Sequence, residues 1–247
     1  MKKVSLSLGI LFFVTAMAAC MAFATKGHKH KILVFCKTAG FHHNSIAAGI
    51  VAIQKLGQEN NFAVDTTTDS TKFNKKNLKQ YDAVVFLSTT GNVLGDGEQA
   101  AFEQYIRSGK GYVGVHAATD TEYDWPWYTK LVGAQFDSHP KQQLATFNVL
   151  DSTFIATSHL PRVWQRFDEL YNFKAPQWDD KDFHILITID ESSYTGGKNG
   201  SFHPMSWYHA YDGGRAFYTE LGHTDESYQE PLYLKHLLGG IQYAIGM

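Results

Sequence analysis

Three short apolar runs set the terms for any fold of this 247-residue chain. They are Lys31-Ile-Leu-Val-Phe-Cys36, Asp82-Ala-Val-Val-Phe-Leu-Ser88 and Gly111-Tyr-Val-Gly-Val115. None alternates apolar with polar residues, as a strand with one wet face would. A strand covered on both faces belongs in a parallel sheet between two helix layers. Segments with helical spacing lie between the runs. Ser45 to Gln58 carries Ile46, Ile50, Ile53 and Leu56, with Asn44 or Ser45 as N-cap. Glu98 to Ser108 carries Ala101, Phe102, Tyr105 and Ile106 ahead of Gly109 as a stop. Phe62 to Thr66 adds a short strand. This alternation predicts an α/β fold with right-handed crossovers.

The second half reads differently. Gln143 to Asp151 and His184 to Asp190 have strand character. Ser206 to Tyr211 and Arg215 to Leu221 flank Asp212-Gly213-Gly214, a hairpin signal. Pro231 to Ile245 reads as a terminal helix. No repeat or linker divides residues 31–247, which predicts one domain with a β-rich second half. The N-terminus is a targeting segment. Met1-Lys2-Lys3 precedes an apolar run from Val4 to Ala19, too short for a membrane span of about 20 residues. Ala22-Phe23-Ala24 then supplies a cleavage site, so residues 1–24 read as a signal peptide and 25–30 as a short flexible lead. The alternative is a lipoprotein signal ending before Cys20, with a lipid anchor there. Either predicts export, to the periplasm or medium or to a membrane surface.

Composition narrows the function classes. Hydrophobic residues make up 44% and charged residues 19%, which excludes a disordered chain. Lys+Arg is 22 against 24 Asp+Glu, so no basic excess exists to neutralise phosphates, and a nucleic-acid partner is not expected. Two Cys cannot form a disulfide scaffold or a Cys-rich zinc site. The 12 His stand out, because imidazole both ligates metals and moves protons near neutral pH.

In open α/β sheets, ligands bind beyond the C-terminal strand ends. Phe41-His42-His43 follows the first run, Thr89-Thr90 the third strand, His116 and Thr119-Asp120 the fourth, and His223 the late hairpin. His43, His116 and His223 are therefore expected to converge. His116 stands at a strand-to-loop junction with no Ser or Cys beside it. It suits a general base, a general acid or a metal ligand, or else a ring bonded to nearby backbone. Asp120, Glu122 and Asp124 could orient a ring nitrogen or form a solvated loop. Trp125 and Trp127 could stack on a sugar or seal the core. His139 and His203 each precede Pro, which places them in turns. No spacing matches a zinc signature. The residue set nonetheless leaves a divalent ion such as zinc, held among His43, His116, His139 and His223, as a candidate cofactor.

Several stretches together resemble the ThuA-like (trehalose utilisation) family. They are Lys37-Thr-Ala-Gly-Phe-His-His-Asn-Ser-Ile46, Gly111-Tyr-Val-Gly-Val-His-Ala-Ala-Thr-Asp-Thr121, Asp124-Trp-Pro-Trp127, Leu131-Val-Gly133, Ser138-His-Pro140, His203-Pro-Met-Ser-Trp207 and Gly213-Gly-Arg-Ala-Phe-Tyr-Thr219 with Gly222-His223. The resemblance implies a flavodoxin-like three-layer sandwich related to class I glutamine amidotransferases. It also implies catabolism of disaccharides or other glycosides through 3-keto sugars. By position, His116 replaces the amidotransferase nucleophile Cys, and His223 falls near that superfamily's later catalytic His. The family usually has Arg where His42 stands, which favours His43 as the site residue.

The expected roles follow. His116, Asp120 and His223 do acid–base chemistry. His43, Thr90, Thr119, Trp125, Trp127, His139 and His203 contact a small carbohydrate. The expected protein is an enzyme without glutaminase activity; the alternative is a non-catalytic carbohydrate binder.

Overall fold

The computed structural model describes residues 30–247. The signal peptide, the Cys20 anchor and the lead through residue 29 lie outside the described residues. His30 was expected in the flexible lead. It is instead the first residue of a strand, paired with Phe62 and hydrogen-bonded to Asp82.

Eleven strands and five α-helices make up the described chain. In order they are β1 (His30–Phe35), α1 (Ile46–Glu59), β2 (Phe62–Thr67), α2 (Lys75–Leu78), β3 (Ala83–Leu87), α3 (Asp96–Arg107), β4 (Gly111–Val115), α4 (Pro126–Val132), β5 (Gln135–Ser138), β6 (Gln143–Val149), β7 (Val163–Asp168), β8 (Asn172–Lys174), β9 (His184–Ile189), β10 (Pro204–Tyr211), β11 (Gly214–Thr219) and α5 (Pro231–Ile245). Nine strands form one sheet in the order β2-β1-β3-β4-β11-β10-β9-β6-β7, and β5 pairs with β8 alone.

The first five strands of that order run parallel. β3 and β4 are buried throughout, as their unbroken apolar runs require. α1 and α5 cover one face; α3 and α4 cover the other. This is the three-layer α/β sandwich that the sequence predicts. α5 lies close against the sheet. A Cβ at Gly111 would strike the backbone of Ala244, and one at Gly240 would strike the Phe217 ring. From β11 onward every pairing is antiparallel. β7, the outermost strand, alternates exposed and buried residues, because one of its faces looks to solvent.

Candidate functional site

The chain leaves β4 at His116 through a left-handed turn, with φ of 49°. That region disfavours a side-chain-bearing residue, at a cost on the order of 1–3 kcal/mol. The fold holds the turn through the His116 carbonyl, which accepts a 2.7 Å hydrogen bond from the Tyr218 hydroxyl. Thr119 supports the same corner, with Oγ1 3.1 Å from the Tyr218 oxygen. The imidazole is fully buried. Its Nδ1–H donates to the backbone carbonyl of Glu220 at 2.7 Å. A carbonyl can only accept, so this bond fixes the proton on Nδ1 and leaves the Nε2 lone pair facing inward.

Three other side chains meet that lone pair. His223 Nδ1 lies 3.1 Å from His116 Nε2 and 3.0 Å from Glu169 Oε2. Glu169 Oε2 is 3.4 Å from His116 Nε2. The His43 ring packs edge-on against both His116 and His223, with centroids 4.9 and 5.3 Å away. The His43 loop is held by Thr90, whose Oγ1 donates to the Phe41 carbonyl and whose carbonyl accepts from Ala39 N. On the outer side the Gln142 side-chain amide meets His223 Nε2 at 2.6 Å. A cleft of about 250 Å³ opens beside His223, walled by Phe41, Asn44, Gln142 and Thr224. A larger apolar groove of about 870 Å³ runs between α1 and α5 and carries none of these histidines.

Each group's protonation follows from its neighbours. Burial opposes a charge on His43, and the nearby His116 and His223 oppose it further, so its pKa falls to about 3. Burial also opposes ionisation of Glu169, but the two imidazoles beside it, His116 and His223, outweigh it and hold the carboxyl well below its usual range. Burial works against protonating His223, and the Glu169 carboxylate overrides it and raises the pKa. Glu220 is driven the other way. Full burial and the charge of Asp168 push its carboxyl far up and keep it protonated.

Asp168 braces the cluster from behind. Its carboxylate accepts from the backbone N–H groups of Gly222, His223 and Glu169 at 3.1, 3.2 and 3.0 Å. Arg166 Nη2 lies 3.0 Å from the same carboxylate, with the guanidinium between the rings of Trp164 and Tyr233. The Asp168 carboxylate, paired with Arg166 on its own strand, thus ties the loop after β11 to the end of β7.

The family profile described as "ThuA: Trehalose utilisation" matches residues 31–244. The chain belongs to the ThuA family. Among solved structures it is similar to a putative ThuA-like protein from Bacteroides uniformis, with 24% identity, a TM-score of 0.75, and 91% of this chain and 94% of that one covered. A putative ThuA-like protein from Parabacteroides merdae gives 21%, 0.73, 88% and 90%. The glutaminase domain of Trypanosoma brucei CTPS gives 10%, 0.52, 87% and 93%, a likeness of fold alone. No curated protein sequence matches. ThuA membership supports a carbohydrate-related role.

Of the residues singled out in this ThuA-family sequence, His43, His116 and His223 do come together at the C-terminal edge. Others stand elsewhere. Asp120 lies to one side, its Oδ1 accepting a 2.5 Å bond from Tyr123, and burial raises its pKa. Thr90 and Thr119 are buried and bonded internally, so they position His43 and His116 and have no surface to offer a ligand. Trp125 and Trp127 do not face the site. They stack on each other at 5.1 Å, and their indole N–H groups bond Glu103 and Asp212 toward the opposite end of the sheet. This is the core-sealing alternative. His203 is also buried, with Nε2 donating to Tyr171 O and Nδ1 against Glu191. Glu122 is neither a ring orienter nor a solvated charge: Oε1 accepts from the Val93 and Leu94 N–H groups ahead of α3. His139 reaches the rim, its Nδ1 3.1 Å from Glu169 Oε1.

Sequence reasoning missed Glu169, Asp168 and Glu220. The alternation Trp164, Arg166, Asp168 across Val163–Asp168 was the available signal for β7.

The cluster also suits a divalent ion. His43, His116, Glu169 and His223 each offer one donor atom, all within 4.8 Å of one another. Glu169 replaces His139 in the expected ligand set, because His139 bonds the carboxylate from outside. Two observations support the fit. His43 Nδ1 is buried without a hydrogen-bond partner. His116 Nε2 and Glu169 Oε2 are both acceptors, and only the single His223 N–H stands between them; a further cation there would satisfy both.

Proposed function

We propose that this is an exported enzyme of carbohydrate catabolism, acting on a disaccharide, a glycoside or a 3-keto-sugar derivative by proton transfer. The observation that carries the reading is a buried His–His–carboxylate contact at the edge of an accessible cleft. His116 Nε2 is the base, since its proton is fixed on Nδ1. His223, raised by Glu169, is the acid. In a 3-keto glycoside the proton on the carbon next to the ketone leaves through His223, the ring that lines the cleft, to the buried His116 Nε2 behind it. The acid delivers a proton to the departing glycosidic oxygen. Charge moves between two rings 3.1 Å apart, with Glu169 stabilising whichever is protonated. Asp120, whose Oδ1 is taken up by the Tyr123 hydroxyl, is given no proton transfer in this reading.

Glutamine hydrolysis requires a thiolate in the related amidotransferases, and His116 supplies none. Cys36 is buried directly after β1, where burial raises its thiol pKa. No ammonia should be released from glutamine.

The four-donor geometry favours a second reading of the same site, with a zinc-class ion held by His43, His116, Glu169 and His223. When bound, such an ion polarises a keto oxygen or lowers the pKa of a water. The rim groups His139 and Asp120 then handle protons. The test is incubation with disaccharides and their 3-keto forms, with product analysis, alongside elemental analysis of untagged protein. Turnover that survives a strong chelator in metal-free protein selects the acid–base reading. Loss of turnover restored by zinc selects the metal reading. Binding without product in either state identifies a carbohydrate-binding protein.

A further inference from the structure

The cleft at His223 does not end at the histidines. A second cleft of about 420 Å³ adjoins it, and the two share Thr224 and Glu226 as lining residues. The far wall of the second cleft is the solvent face of the β6–β7 ribbon. Gln142, which bonds His223, leads into β6 two residues before Leu144. Leu144 pairs directly with Phe167 across the ribbon. Both are large apolar side chains left in water, 57% and 53% exposed. A cross-strand apolar pair beside a polar cleft marks a place where a ligand's face is covered.

We propose that the Leu144–Phe167 shelf is the subsite for the second half of a neutral glycoside whose first ring occupies the cleft at His223. This rests on the carbohydrate reading above. A pyranose or phenolic ring has apolar faces and polar edges. Its face lies on Leu144 and Phe167, and its edge meets the amide of Gln165 and the carboxylate of Glu226, which line the same cleft. The charge of the cleft selects against anionic ligands. Its one cation, Arg166, is already met by Asp168 and Glu230. Against this single cation the cleft sets the carboxylates of Asp168 and Glu230 and, beyond them, that of Glu226. A uronic acid or phosphorylated second half is therefore rejected.

The test is calorimetric titration of the mature chain with glucose, trehalose, phenyl glucoside and 4-carboxyphenyl glucoside, and with the 3-keto forms of the first three. The two-part neutral ligands should bind about tenfold more tightly than glucose or its keto form, the gain expected from covering one ring face. 4-Carboxyphenyl glucoside, whose second half is anionic, should gain nothing. A Leu144→Ala/Phe167→Ala variant should erase the gain to within twofold and leave the glucose affinity unchanged. Both side chains are more than half exposed, so the fold is retained. A preference for trehalose over phenyl glucoside, or the reverse, tells whether the shelf takes a sugar or an aglycone. Equal binding of one- and two-part ligands overturns the subsite, as does a gain that survives the substitutions. A dimer that the substitutions convert to monomer also overturns it, since the shelf would then seat a second copy. Binding of none of these sugars overturns the carbohydrate reading itself.

Discussion

The parallel half and the antiparallel ribbon contribute unequally to the scaffold and equally to the site. The parallel half supplies His43 after β1 and His116 after β4, on strands buried on both faces. The ribbon supplies Glu169 after β7 and Gln142 ahead of β6, from the outer border of the sheet. The loop after β11 adds His223 where the halves join. A scaffold of the amidotransferase type thus gains its carboxylate from an added edge, and its chemistry depends on both halves.

The sharpest way to break that comparison is to remove one donor from each side. His116→Ala and Glu169→Gln should each lower turnover of a keto-glycoside substrate by about 10²–10⁴-fold, the usual range for a positioned proton-transfer group. Circular dichroism should show both variants folded. Full activity in Glu169→Gln would confine the chemistry to the parallel half.

Next in size is the buried ion pair at the seam. Arg166→Ala leaves Asp168 uncompensated in the interior and should cost about 3–5 kcal/mol in urea unfolding. A loss under 1 kcal/mol would mean that Asp168 does not depend on Arg166 to hold its place at the seam.

Acid should weaken the antiparallel side as well. His209 on β10 is buried, and its pKa falls to about 4. His236 on α5 packs beside β11, and burial lowers it to about 3. Both rings are neutral in the fold and near 6.5 when unfolded, so the unfolded state binds more protons. Stability is therefore complete above about pH 6.5 and declines on acidification, by roughly 1.4 kcal/mol per pH unit for each ring. Thermal melts at pH 7 and 5 should show the drop, and His236→Gln should shrink it. A melting temperature independent of pH over that range would contradict the assignment.

The smallest effect concerns the tryptophans. Trp127→Phe removes one exposed hydrogen bond to Asp212 and should cost about 1 kcal/mol or less. Sugar affinity should not change. A weakened affinity would return Trp127 to the binding surface.

The unequal construction also explains what could be read from sequence. β1, β3 and β4 announce themselves as unbroken apolar runs, and chain direction alone puts His43 and His116 at one edge. His223 follows from the hairpin signal. β7 does not announce itself. Val163, Gln165 and Phe167 face water, so its apolar content is halved, and Arg166 and Asp168 look like surface charges until their mutual burial is seen. Glu169 could not be placed without that strand. The tryptophans misled for the opposite reason: an aromatic at a helix start looks the same whether it faces ligand or core, and only the Glu103 and Asp212 acceptors decide it.

Asp168 has a consequence for motion. Its carboxylate anchors three amides drawn from β7 and the β11 loop, and β7 has a neighbour on one side only. Border strands are where native proteins open first, with a free energy well below that of global unfolding. When β7 frays from β6, those amides lose their acceptor, and Glu169 leaves the two imidazoles it bridges. Amide exchange at Gly222 and His223 should then keep pace with exchange in β7, not with the slow core of β3 and β4, and the histidine–carboxylate cluster would come apart while most of the sheet is still intact.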